Sequence, residues 1–328
     1  MEMSAEISKA IQDEVAKAVT ASTYTMDPSA RSIFAPENLD PVIKLLAPTS
    51  TPVRSALPRS TGFGQAASWR KLTSRLDPAA GGTGSSLGFA DASTPSQTTQ
   101  SYSFVSAEYK ILGRDVEIGR KLIASNRGSN LEDVRAHQEM VKTFEVLLGE
   151  ENMLLNGDSA ANSLEFDGFA KSFTTNSGSA ALLTASGVSR YSQTLFETGA
   201  ELVSHLIANP RQCRALSDQL EGSGSIQRIT VDRQGDAVAG VHLSKIVDGN
   251  TGNLITVINS RYSGGWGYLL TVQSPAGENW LEVEDLETLS IYDVPTANHS
   301  IQSRVFETTV LKTIGEVYQY KIGGLATS

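Results

Sequence analysis

Apolar residues recur at helical spacing near the N-terminus and again in the middle of the chain. A short helix capped by Ser4 is predicted from an apolar residue at every fourth position over residues 7–19. The longest amphipathic stretch covers residues 131–155, and Asn156, Gly157 and Asp158 are expected to stop it. The chain therefore has one long helix and one short helix, and the short one needs a partner to be stable.

Two further helices are predicted side by side. Residues 195–209 have adjacent apolar pairs that begin at residues 195, 202 and 206, seven and four positions apart, and Asn209 is expected to end this helix. Pro210 then begins a second helix that ends at Gly222, because its fixed φ suits a first helical position and Asn209 is a good cap. In that helix Cys213 faces inward, which favours a small core residue over a nucleophile.

A long two-stranded hairpin is predicted between the N-terminal region and the long helix. Its strands are residues 66–76 and 100–118, and a bulge at residues 105–107 would reconcile the parity of its apolar positions. The tip, residues 77–99, is rich in Gly, Ser and Thr and cannot form a core of its own. Because an isolated hairpin is marginally stable, we expect it to lie on a neighbouring molecule.

The rest of the chain is broken by turns. Six prolines between residues 28 and 58 indicate an extended arm. After residue 222, strands are predicted at 226–231, 238–247, 254–258 and 268–272, followed by alternating apolar and polar positions at 281–284 and 318–322. The pattern as a whole predicts an α+β protein.

Composition and charge exclude several classes. The chain has 27 Lys and Arg against 36 Asp and Glu, a net charge of −9, which disfavours high-affinity binding to duplex DNA. A single cysteine excludes a disulfide framework. No apolar run approaches the roughly 18 residues of a membrane span, and Glu2 and Glu6 are atypical of a secretory signal, so an intracellular protein is expected.

Catalytic motifs are weak. The glycines at 81–88 lack the spacing of a dinucleotide loop, and the four histidines are scattered, so no cofactor and no metal site is predicted. Asp158, Glu165 and Asp167 form the one acidic group that could hold Mg²⁺ or act as an acid–base pair, but carboxylates at helix ends and turns usually bind backbone N–H groups.

Charge is distributed in two blocks. Between residues 40 and 77 the chain has six basic residues and no acid, and between 261 and 304 it has six acids and no Lys or Arg. The blocks are either two solvated faces or a complementary pair that joins the basic block of one copy to the acidic block of the next. The candidate contact residues of this intersubunit hypothesis are Arg54, Arg59, Arg70, Lys71, Arg75, Glu278, Glu282, Glu284, Asp285 and Glu287.

Several short motifs, in this order, resemble the major capsid proteins of tailed bacteriophages. They are Trp69-Arg70-Lys71, the segment 150–158 that ends the long helix, residues 166–169, residues 206–210 and the C-terminal residues 319–325. The specificity comes from the order of these parts, over residues 31–325, and none of them is a catalytic signature.

The resemblance implies a fold and a structural role without enzymatic turnover. Residues 1–59 would be the N-terminal helix and extended arm, 60–118 the extended β-hairpin loop, 119–165 with 281–328 the peripheral domain containing the spine helix, and 166–280 the axial domain. Hexamers and pentamers would form an icosahedral shell around double-stranded DNA in a virion assembled in the host cytoplasm. Contact with packaged DNA would be non-specific, no membrane would be involved, and portal and decoration proteins would be partners.

Two departures from the family pattern refine this expectation. Only about the first 25 residues could serve as a scaffolding segment, which favours a separate scaffolding protein. Some relatives crosslink their subunits through a loop lysine, but residues 72–109 contain no lysine. Two alternatives remain: an encapsulin-type nanocompartment that encloses protein cargo, and a metal-dependent hydrolase that uses Asp158 and Asp167.

Overall fold

The structure is a computed structural model that describes residues 50–74, 91, 93–94, 101–126, 134–200, 202–222, 230–231, 237–238, 243–296 and 299–327. The predicted N-terminal helix, the proline-rich arm before residue 50, Arg75 and most of the hairpin tip lie outside the described residues. Within them the helices are α1 Pro52–Ala56, α2 Arg120–Asn126, α3 Val134–Asn156, α4 Phe169–Ser172, α5 Ala185–Thr198 and α6 Pro210–Gly222, with a 3₁₀ turn at Glu316–Tyr318.

The described strands form two larger sheets and two small antiparallel pairs. In chain order they are β1 Arg59–Thr61, β2 Ala66–Ser74, β3 Ser101–Glu108, β4 Lys110–Gly119, β5 Ser177–Ser179, β6 His205–Ala208, β7 Thr230–Val231, β8 Ala237–Val238, β9 Lys245–Val247, β10 Leu254–Asn259, β11 Gly267–Leu270, β12 Leu281–Val294, β13 Ser300–Thr313 and β14 Tyr320–Gly323.

The first sheet has the strand order β1-β12-β13-β4. Strands β12 and β13 are antiparallel, and the short β1 runs parallel to β12 at the edge. The long helix α3 packs on one face of this sheet, against β4 and β13. Val116, Ile118 and Val146 are buried. The other face carries the more exposed side chains.

The second sheet has the order β5-β14-β11-β6-β10-β9 and is covered on both faces. Leu206 of β6 belongs to a core with α5 and α6, and its neighbour Ile207 belongs to a core with the end of α3. Successive side chains of a strand point to opposite faces, so both residues are buried in the middle of the sheet. Phe169, Phe173 and Tyr268 pack together in the core shared with α3.

Residues 195–209 do not form the predicted helix. Helix α5 ends at Thr198, where Gly199 takes a left-handed φ of 99° and closes the last turn. Residues 205–208 form the central strand β6 instead, and a strand that is buried on both faces has a continuous apolar run that resembles a buried helix. The following helix is confirmed, and the Asn209 side chain accepts the Gln212 N–H at 3.0 Å as its cap.

The predicted strand 100–118 consists of two strands that pair with different partners. Strand β3 pairs with β2 in the hairpin, β4 pairs with β13 in the first sheet, and the buried Tyr109 lies between them. The bulge predicted at 105–107 is absent from β3, and the register shift lies between Leu72 and Ser74 of β2. The apolar residues change from even to odd positions because the chain leaves the hairpin near Tyr109 and enters the first sheet.

The predicted domain boundaries stay a prediction. They group residues 281–328 with the part of the chain that contains α3. Strand β14 pairs instead with β11 and β5 in the second sheet, whereas β12 and β13 do lie in the first. The alternation at 318–322 identified a half-buried strand but contains no information on its partner.

Candidate assembly interface

Two basic residues of the predicted contact set, Arg54 and Arg59, bind acidic groups of the same chain. Arg59 donates from one Nη to both oxygens of Asp285, at 2.8 Å each, and from the other Nη to Glu150. Arg54 donates to Glu150 and, at 3.3 Å, to Glu307. These pairs hold residues 52–61 on α3, β12 and β13 within one molecule.

Lys71 at the base of the hairpin also has a partner in its own chain. Its Nζ forms an ion pair with Glu316, whose other oxygen accepts the N–H and hydroxyl groups of Thr174 and Thr175 at 2.7–3.1 Å. Burial alone would raise the pKa of Glu316, but Lys71 and Thr174 lower it to about 2. Glu316 therefore joins the hairpin to the second sheet. Close by, the indole N–H of Trp69 donates to the Thr313 carbonyl at 3.2 Å.

Two of the predicted acidic residues share one cation. The Nζ of Lys312 lies 2.8 Å from Glu282 and 2.7 Å from Glu284. The second oxygen of Glu284 accepts the hydroxyl of Tyr109, and burial together with this carboxylate raises the pKa of Tyr109 to about 12. The acidic block is thus partly neutralised by the chain's own β13.

The outward face of the hairpin remains uncovered. Ala67 and Trp69 point inward and are buried, while Arg70 and its cross-strand partner Phe104 point outward. Phe104 is 74% exposed and Tyr102, two residues before it on the same face, is 55% exposed. Adjacent exposed aromatic and basic side chains are typical of interface centres.

The face of the first sheet opposite α3 has an open groove of about 560 Å³. Ile111 is 73% exposed there, and Tyr292 lies edge-on to Phe306 with ring centroids 5.0 Å apart. Arg304 and Asp115 form an ion pair across two strands, and the exposed Glu287 lies at the rim. The groove combines an apolar floor with charged lining residues of both signs, namely Arg114, Arg304, Asp115 and Glu287.

Of the predicted contact residues, three are exposed and have no ion-pair partner among the described residues. They are Arg70, Glu278 and Glu287. The pattern of charge identifies the two blocks but not the buried acids that form ion pairs with Arg54, Arg59 and Lys71. These acids are Glu150, Glu307 and Glu316. Glu150 lies inside the continuous helix α3 and Glu307 inside the continuous strand β13, and apolar periodicity contains no signal for a buried carboxylate.

The residues of the hydrolase alternative have structural roles. Asp158 accepts the Ala160 N–H at 3.0 Å and pairs with Lys171, and Asp167 accepts the Ser159 N–H at 2.8 Å. Burial raises the pKa of the Cys213 thiol to about 11, which disfavours a reactive thiolate. In the described part of the chain no group of three His, Cys, Asp or Glu side chains is arranged to hold a metal ion. None of the described helices has the length and apolar character needed to cross a membrane.

Comparison with solved structures identifies the fold. The SrpI encapsulin of Synechococcus elongatus PCC 7942 superposes with a TM-score of 0.61 at 12% identity, over 89% of this chain and 94% of that one. The capsid of cyanophage P-SCSP1u gives 0.57 at 9% identity over 90% and 94%, and a solved structure of Mycobacterium phage Bobi gives 0.59 at 8% over 90% and 96%. The fold is therefore that of tailed-phage capsid proteins and encapsulins.

Comparison of sequences identifies the family within that fold. The sequence model of the SU10 major capsid protein family matches residues 16–281. No curated protein sequence matches the chain. The chain belongs to the SU10 major capsid protein family, and it is a structural capsid protein of a tailed-phage virion.

Proposed function

We propose that copies of this chain assemble into hexamers and pentamers that form an icosahedral shell around the double-stranded DNA of a tailed phage. The observation that carries this proposal is the uncovered hairpin face, where Phe104 is 74% exposed beside Arg70. An apolar and basic surface of this kind on a projecting hairpin requires a partner. In a shell, every copy meets another copy of the same chain.

The contact that we propose joins the hairpin of one copy to the first sheet of the next. Phe104 and Tyr102 would cover the apolar floor of the groove at Ile111, and Arg70 would approach Glu287 at its rim. This contact narrows the hypothesis that the basic block, residues 44–75, meets the acidic block, residues 278–293, of a neighbouring copy. The direct ion pair is now limited to Arg70 and Glu287. Arg54, Arg59, Lys71, Glu282, Glu284 and Asp285 contribute to this contact indirectly, because their ion pairs hold the two surfaces in place.

The partners and location proposed for the shell follow from its role. We propose a separate scaffolding protein, a portal, decoration proteins, assembly in the host cytoplasm, no membrane and no enzymatic turnover. The net charge of −9 supports non-specific contact with packaged DNA, because a shell of like charge confines DNA without binding it tightly.

Electron microscopy of the purified chain, with and without the co-expressed scaffolding protein, tests the proposal directly. We expect closed shells or rings of five and six subunits, and light scattering should report particles of megadalton size. A 35.0 kDa monomer under every assembly condition would reject the proposal. Shells that contain a protein cargo in place of DNA would instead identify the encapsulin alternative, whose fold the chain shares.

A further inference from the structure

Four carboxyl groups and two guanidinium groups meet where residues 52–61 contact the body of the molecule. Glu150 and Glu151 come from α3, Asp285 from β12 and Glu307 from β13, and each is at most 5% exposed. Arg54 and Arg59 enter this cluster from residues 52–61. With all four carboxyls ionised, the formal charge of the cluster would be −2.

Glu307 shares its one cation with Glu150. Arg54 donates to both carboxyls, whereas Glu150 also accepts from Arg59. One oxygen of Glu307 accepts from Arg54 at 3.3 Å, and the other finds no donor among the described residues. A carboxyl that is buried and reached by one shared cation is favoured in its neutral, protonated form. Burial and the neighbouring Glu150 raise the pKa of Glu307 to about 8.

The remaining charged groups around the cluster are already paired or act in the same direction. On β4, Arg114 donates to Glu145 of α3 at 2.6 Å, on the side of the sheet that faces α3. Glu151 accepts the hydroxyl of Ser260 at 3.1 Å, its other oxygen has no hydrogen-bond partner among the described residues, and burial raises its pKa as well. The charge of Arg261 acts against this rise.

Few other interactions hold residues 52–61. Strand β1 has three residues, lies at the sheet edge and pairs with β12 alone. Val53 and Leu57 are the buried apolar side chains of this segment. Few contacts other than the ion pairs therefore oppose opening of this segment. One unpaired charge inside the cluster favours the open form, because an unpaired buried charge is strongly destabilising.

We propose that a proton on Glu307 keeps residues 52–61 closed on α3 and the first sheet, and that loss of this proton opens the segment. The proton leaves to solvent as the segment opens, and no covalent bond changes. Opening exposes the carboxyl of Glu307 to water, where it returns to its ordinary acidic pKa. The closed form binds one more proton than the open form, so rising pH favours opening. The device depends on the fold of one chain and not on the proposed shell.

Hydrogen exchange of the full-length chain, followed by mass spectrometry between pH 6 and pH 9, tests this proposal. After correction for the intrinsic exchange rate, the opening equilibrium constant of peptides that contain Arg59, Ser60 and Thr61 should rise about tenfold per pH unit up to about pH 8 and then level off. Peptides of β6 and β11 should show no such rise. A change of less than twofold per pH unit at β1 in the wild-type chain overturns the proposal without any variant.

Two variants locate the proton. Glu307→Gln is neutral and of similar size, so its opening constant should not depend on pH in this range. The matched control Glu197→Gln, at an exposed position of α5, should keep the wild-type dependence. If Glu307→Gln retains the wild-type slope, another group holds the proton and the proposal is wrong. Should that variant fail to fold, Arg54→Gln replaces it: loss of this cation should move the rise to higher pH, and an unchanged midpoint would contradict the proposal.

Discussion

Gly157 and Gly168 lie against each other where the long helix ends. The N–H of Gly168 donates to the carbonyl of Gly157 at 2.9 Å. A Cβ on Gly168 would lie 2.4 Å from the Met153 carbonyl oxygen, and one on Gly157 would lie 2.3 Å from that of Phe166. Both contacts are with backbone, which cannot move aside cheaply. The two glycines are needed for a close approach of two chain segments.

Alanine at Gly168 should therefore lower the stability of the molecule. We expect Gly168→Ala to reduce the free energy of unfolding by about 1–3 kcal/mol or more, the usual cost of forcing extra volume into a packed site. Gly149→Ala is the matched control: it lies within α3, a Cβ there meets nothing within 4 Å, and it should add about 0.5–1 kcal/mol. Urea unfolding measures both, and shifts in the same direction would contradict the packing argument.

Glu316 provides a second prediction at the scale of one residue. Its folded pKa is about 2, below the ordinary glutamate value, so its contribution is fully present above that ordinary value and is lost as the pH falls towards 2. Glu316→Gln should cost about 1–3 kcal/mol at pH 7, because Lys71 and the Thr174 N–H lose a charged acceptor. The difference from wild type should shrink at pH 3. The exposed Glu278→Gln serves as the control, and a difference that is equal at both pH values would show that ionisation of Glu316 is irrelevant.

At the scale of elements, the hairpin β2–β3 has one face for its own chain and one face for a neighbour. The inward face is fixed by Trp69 and Lys71, and the outward face presents Arg70 and Phe104. The position of Lys71 decides which basic residue of the hairpin can be used to test the contact between subunits. Reversal of Lys71 would break its own ion pair with Glu316, so only Arg70 reports on an intersubunit contact.

We expect Arg70→Glu to reduce the yield of assembled particles at low salt and to have little effect on the stability of the single chain. The contact is charge-dependent, and screening over about 10 Å at 0.1 M salt should reduce the difference from wild type. Arg70→Lys keeps the charge and should assemble normally. Glu287→Lys in the Arg70→Glu background should restore part of the yield. Equal particle yields for wild type and Arg70→Glu at low and high salt would show that the outward face is merely solvated.

At the scale of the whole molecule, the composition of the hairpin tip predicts the covalent state of the shell. Residues 72–109 contain no lysine, so the tip has no amine with which to form an isopeptide bond to a neighbour. Particles boiled in detergent should release a single band near 35.0 kDa on a gel. A ladder of covalent oligomers would show that a lysine elsewhere in the chain forms the crosslink.

Local signals in the sequence predict many elements of the described fold but not β13 or most of α5, and the two misassigned segments have different physical causes. The long helix, the helix after Pro210 and the strands at 254–258 and 268–272 are confirmed. Residues 205–208 were interpreted as helix because a strand buried on both faces has no period-two alternation. The strand at 100–118 was continued past Tyr109 because a change of sheet leaves no mark other than a change in parity.

The sequence by itself determined the class of this protein: the order of arm, hairpin, long helix and later strands depends on turns, caps and apolar spacing, which act over a few residues. Only the tertiary structure decided which charges meet. Arg59 lies 226 positions from Asp285, and Arg54 lies 253 positions from Glu307. Such pairs depend on how β1, α3, β12 and β13 pack, and a carboxylate inside a core is tolerated only where distant segments bring a cation or a hydrogen-bond donor to it.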